Sequence, residues 1–200
     1  MQNEIIKNNI ILLIKKRLKA FIIKLFNVIL YKIIFMDLYL DCEWQIPNKL
    51  FLIGFAYNQK DFFQLYDHSL TLDNVVKMFS LVDGCVYFYG PDIAIIEKYF
   101  EIDIRNTHRC INLIRVFKYF NPYLSSYKLK CLEWHYGIKR ESVAYKVNIF
   151  QFLCDWYKPE KRKQCLKYNK EDVINLIKIK KIFFSEHNIK QNMLDNMLLK

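Results

Sequence analysis

The sequence predicts an α/β domain: a mixed central sheet, in which a three-strand antiparallel meander joins parallel strands, flanked by helices. Three observations predict it. Between residues 38 and 66 the apolar runs LYLDCEW, KLFLIGFAY and FFQLY are separated only by short polar breaks at 45–48 and 58–61, as in successive hairpins. The run GCVYFY at 84–89 is continuously apolar, as strands buried on both faces are. Beyond about residue 108 the apolar spacing is mostly helical.

The first strand is placed at 38–44, the second at 49–57 and the third at 62–66. Residues 71–81 read as a helix with Thr71 or Asp73 near its start, followed by the buried strand 84–89. Gly90 and Pro91 punctuate a turn, and Pro91 suits the first turn of a helix running to about Glu101, with Ile93, Ile96 and Phe100 on one face. A short strand is expected near 102–104. Helices are then expected at 108–119, 127–136, 147–157 and 164–184.

Composition supports one sizeable core. Of the 200 residues, 53% are hydrophobic and 16% aromatic, and only four Gly and four Pro occur. There is no flexible linker and no Gly-rich phosphate loop, which excludes P-loop and dinucleotide-binding chemistry. The six cysteines stand apart, without a CxxC pair or a Cys/His cluster at ligand spacing, so zinc and iron-sulfur sites are not expected. They read as reduced, mostly buried thiols of an intracellular, cytoplasmic protein.

The net charge of +11 is uneven. Residues 1–35 hold seven Lys or Arg against the single acid Glu4, leaving +5 on the remainder. That first segment reads as a basic amphipathic N-terminal piece, either an appendage or upstream sequence, able to touch a membrane surface or a partner. None of its apolar runs approaches the roughly 20 residues of a membrane span. The domain proper is placed at 36–184 and a C-terminal tail at 185–200. The moderately basic body fits a polyanion such as nucleic acid, and equally fits a protein with no such partner.

The residues that carry chemistry are acids at informative places. Asp41 and Glu43 lie two apart in the first strand, on one face and near its end. Asp92 follows the second buried strand, where side chains of an open sheet converge on ligands, although an acid there also suits a helix N-terminus. Tyr168 and Asp172 are four apart on the last strong helix and share a face. A tyrosine one turn ahead of a metal-bound carboxylate can position a water. Each signal is weak alone; the combination is informative.

A DxE in strand one, an Asp after the next buried strand and YxxxD on a late helix together resemble the DEDDy branch of the DEDD 3'-to-5' exonucleases, of ribonuclease H-like fold. Within that branch the chain is similar to the predicted nucleases of the YprB type. The closer match rests on YLDCEW with KLFLIGFAY, on SSYKLKCLEWHYGIKRE and on YNKEDVINLIKI, which span 37–182. Two places depart from the pattern. The second motif is the shorter Tyr89-Gly90-Pro91-Asp92, and 105–112 offers Asn106 and Asn112 where an Asp-Leu pair is expected.

The resemblance implies a two-metal mechanism with Mg2+ or Mn2+ as cofactors. Asp41 would bridge both ions, Glu43 and Asp172 would complete the water-activating site, Asp92 would support the second ion through water, and Tyr168 would orient the nucleophile. The implied substrate is DNA or RNA, as single-stranded 3' ends. Lys128, Lys130, Lys139 and Arg140 are candidate phosphate contacts, and Tyr89 is a candidate stacking surface for a base. Tyr87 and Trp134 are expected in the core. A structure-specific endonuclease and a catalytically weak nucleic-acid-binding module of the same fold remain open alternatives.

Overall fold

The computed structural model describes residues 36–45, 49–142, 145 and 149–198. The expected basic segment at 1–35 lies outside the described residues. Strands β1 (Leu38–Gln45), β2 (Lys49–Ala56), β3 (Phe62–Tyr66), β4 (Cys85–Phe88) and β5 (Arg109–Asn112) form one sheet in the order β3-β2-β1-β4-β5. β1 pairs antiparallel with β2 and β2 with β3, whereas β1–β4 and β4–β5 are parallel. This is the expected mixed sheet, and β1, which carries the DxE, is its middle strand.

Alternation along the strands divides the core into two faces. On one, Leu38, Leu40, Cys42, Ile53, Phe55, Val86 and Phe88 pack with α1 (Leu72–Ser80) and α2 (Asp92–Phe100) through Val75, Met78, Ile93 and Ile96. On the other, Tyr39, Ala56, Tyr87 and Ile111 meet α3 (Leu113–Phe120), α4 (Leu129–His135) and the long α6 (Pro159–Glu186). A third cluster seats Phe152 and Trp156 of α5 (Ile149–Trp156) against Phe51 and Leu52. The result is three layers, helix, sheet, helix.

Local chemistry explains the boundaries. Thr71 Oγ1 accepts from Asn74 N and caps α1, and Pro159 occupies the first turn of α6, which its fixed φ favours. Glu101 ends α2 in the left-handed region at φ 55°. Its neighbours do not form the strand expected at 102–104. Glu97 Oε1 instead accepts from the backbone N–H groups of Ile104 and Arg105, holding that segment as a loop. The fifth strand is Arg109–Asn112, inside the stretch expected to open a helix. The C-terminal tail carries a 3-10 segment, Gln191–Met197, whose Leu194 and Met197 are buried in the core. Among the described residues no helix is long and apolar enough to cross a membrane.

Candidate metal centre

Period-two alternation sends Asp41 and Glu43 to the face of β1 that α6 covers, and a bulge interrupts the pairing with β2 immediately after Glu43. From α6, Asp172 reaches the same point: one carboxylate oxygen from each of Asp41, Glu43 and Asp172 lies within 4.8 Å of the other two. Two segments far apart in sequence thus deliver three acids to the carboxyl end of a central strand. Asp92 stands at the end of β4, the parallel neighbour of β1, beside the other three. Its Oδ1 accepts from the Cys42 thiol at 3.3 Å and its Oδ2 from Tyr89 N at 3.3 Å, so it lies outside the three-carboxylate group.

Electrostatics tie all four together. Burial raises Asp41 well above the usual carboxylate range, and Glu43, Asp172 and Asp92 push it further. Burial, then Asp172 and Asp92, lifts Glu43 to about 8. Burial lifts Asp92 to about 7 against the opposing hydrogen bonds from Cys42 and Tyr89. Asp172 is raised by burial to about 6, with Arg140 holding it down. Buried, like-charged acids are costly to ionise without a cation. The donor set is carboxylate oxygen alone, which fits a hard divalent ion. Among the described residues this is the group of acids that could hold a metal.

Around the acids stand polar residues that the sequence reading did not single out. Asn169, fully buried, donates through Nδ2 to Asp41 Oδ2 at 2.9 Å. Glu133, also fully buried, accepts from Arg140 and from Asn175 Nδ2 at 3.0 Å. Their signal in the sequence was a polar residue on the buried stripe of an amphipathic helix, Asn169 and Asn175 within YNKEDVIN and Glu133 after Leu129 and Leu132. Tyr168 lies one turn before Asp172, its ring edge-on to Tyr145 and under the Arg140 guanidinium, 4.8 Å from ring centroid to Cζ.

Arg140 corrects an expectation. Proposed as a surface phosphate contact, it has a side chain only 4% exposed, ion-paired to Glu133 and to Asp172. The buried acids need a counter-charge, and Arg140 supplies it. Tyr89 is likewise engaged: its hydroxyl donates to the Tyr127 carbonyl and its ring packs against Phe117. Lys128, Lys130 and Lys139 are exposed, as surface contacts must be. Tyr87 is in the core, but Trp134 is not, with 85% of its surface exposed. Asn112 caps α3 and pins the Gly90 turn, donating to Gly90 O at 2.8 Å.

The sequence model of a family described as RNase_H superfamily matches residues 38–184, from the first residue of β1 to near the end of α6. No curated protein matches the chain.

Proposed function

Because the chain belongs to the RNase H superfamily, whose members point to a nuclease acting on nucleic acid, we propose that it is a divalent-cation-dependent 3'-to-5' exonuclease of the DEDDy kind. The observation that supports this most is the meeting of Asp41, Glu43 and Asp172 within 4.8 Å, with Tyr168 one turn before Asp172. Single-stranded DNA or RNA ends are the proposed substrate, and the exposed Lys128, Lys130 and Lys139 are the proposed contacts to their phosphates.

In this reading Asp41, Glu43 and Asp172 would hold Mg2+ or Mn2+, with Asp92 in support. The bound ions would supply Lewis acidity at the scissile phosphate and lower the pKa of water. Burial, followed by the charge of Asp172, raises the Tyr168 hydroxyl, so it stays protonated at neutral pH. Tyr168 therefore orients a water by hydrogen bonding and does not act as a base. The Cys42 thiol is raised well above its ordinary value by burial and by Asp92, and it serves Asp92 as a donor rather than serving the reaction as a nucleophile.

The test is incubation of the purified chain with 5'-labelled single- and double-stranded DNA and RNA in Mn2+. A ladder that shortens progressively from the 3' end is the expected result. Binding without cleavage under any divalent ion would instead make the chain a nucleic-acid-binding module, and internal cuts at junctions would make it an endonuclease.

A further inference from the structure

Asp41, Gly54 and Gln64 sit directly opposite one another on three neighbouring strands, Asp41 facing Gly54 across β1–β2 and Gly54 facing Gln64 across β2–β3. Side chains in such a row project from the same face of the sheet. Asn169 comes down from α6 onto the middle of the row. A Cβ on Gly54 would stand 2.0 Å from Asn169 Oδ1, so the missing side chain is the space in which the carboxamide lies. From there the amide reaches both ends: Gln64 Nε2 donates to Asn169 Oδ1 at 3.0 Å, and Asn169 Nδ2 donates to Asp41 Oδ2 at 2.9 Å.

The direction of this chain of bonds is set at its far end. Gln64 also faces the backbone carbonyl of Leu166, at 2.9 Å, and a carbonyl can only accept. The amide group of Gln64 must therefore turn its nitrogen toward α6. That nitrogen meets Asn169 as a donor, so Asn169 must present its oxygen to Gln64 and its nitrogen to Asp41. One backbone carbonyl thereby orders two side-chain amides that either could otherwise adopt in two orientations.

We infer that Gln64 and Asn169 form a polarity relay that positions Asp41 for the cations, with Gln64 acting on the metal centre from the edge strand without touching it. The inference rests on the metal-dependent reading above. Groups that orient a metal ligand contribute to metal affinity as well as to geometry, typically tenfold or more when removed. Gln64→Glu gives a prediction that separates the relay from simple electrostatics. A carboxylate at 64 cannot donate to Asn169 and competes with Asp41 for the Asn169 nitrogen, drawing the donor away from the ligand it now supports. Electrostatics alone predicts the opposite sign, since another negative charge near the centre attracts cations.

The experiment titrates Mn2+ into the full chain, following free Mn2+ by electron paramagnetic resonance at pH 8, with metal-free thermal melts to check each variant's fold. Gln64→Glu is expected to weaken Mn2+ binding by roughly tenfold. Asn169→Leu should weaken it at least as much, and Gln64→Leu should weaken it less, because Asn169 keeps its preference for the carboxylate. Unchanged or tighter binding by Gln64→Glu overturns the relay. If that variant does not fold, Gln64→Leu decides, and wild-type affinity there overturns the relay. Wild type that binds no Mn2+, or Asp41→Asn that binds as wild type, removes the metal-centre reading and the relay with it.

Discussion

Arg140 donates to Oδ1 of Asp172 from a position in which only 4% of its side chain meets solvent. Its guanidinium also bonds Glu133 Oε1 at 2.5 Å, and its Nη1 is buried without a hydrogen-bond partner. A positive charge is thus built into the acidic centre. Removing one member of such a buried network strands the others. Arg140→Met is expected to lower stability by about 3–5 kcal/mol, read as a drop in urea midpoint at constant slope. Saturating Mg2+ should recover part of that loss, because the ion replaces the missing charge. Arg140→Lys should rescue only in part, since one ammonium cannot reproduce the planar fork.

The raised acids fix the sign of a pH dependence. Asp172 at about 6, Asp92 at about 7 and Glu43 at about 8 take up protons in the folded state that the unfolded chain has already released near pH 4. The folded state then holds more protons than the unfolded one, and stability falls as pH rises from about 4 through about 8. Urea denaturation in a chelator at pH 5, 6.5 and 8 should show this decline. Mg2+ should flatten it. A metal-free chain that gains stability across that range would contradict the picture.

Gly54→Ala tests the space beneath Asn169. The new methyl would stand 2.0 Å from Asn169 Oδ1, and both neighbours in its row are occupied. Overpacking of this kind costs about 1–3 kcal/mol, and the displaced amide should also loosen Mn2+ binding. A melt and a titration on the same sample check both.

Asp41→Asn and Tyr168→Phe are expected to diverge. Asp41→Asn should lower cleavage by orders of magnitude while leaving the metal-free fold as stable or more stable, because one of several repelling acids is gone. Tyr168→Phe keeps every carboxylate and should cost about 100-fold in rate, the low end of the range for a side chain that manages a proton. Single-turnover rates at saturating Mn2+ distinguish the two. Equal losses would mean that Tyr168 does more than orient a water.

Trp134→Ala should leave stability within about 0.5 kcal/mol of wild type. Its indole is 85% exposed, so truncation leaves no cavity. A large drop in the thermal midpoint would show that the indole packs against the domain.

The sequence made the strand meander, the buried strand β4 and α6 legible because each has a clean period and a punctuated end. β5 was obscured by its exit. Asn112 is its last residue and also the N-cap of α3, its side chain accepting from Ile114 N, so strand passes into helix without a loop and RCIN looks like the helix's first turn. Ile102 and Ile104 mimic a strand because both face the core, while Glu97 takes up the backbone groups that pairing would need. The acids of the centre were legible as a pattern of types and spacings. Arg140 was not, because a basic residue after a helix looks the same whether it faces solvent or a buried carboxylate.

The bond from Asn169 to Asp41 joins residues 128 apart. Every side chain found to orient or neutralise Asp41, Glu43 and Asp172 from α6 or its approaches lies late in the chain, so a nascent polypeptide that has formed β1–β4 holds Asp41 and Glu43 without their partners. Long-range closure of this kind is slow compared with local pairing. On the proposed reading, cation capture therefore waits for α6: until that helix docks, Asp41 and Glu43 lack both Asp172 and Asn169, and the three-carboxylate group is not assembled.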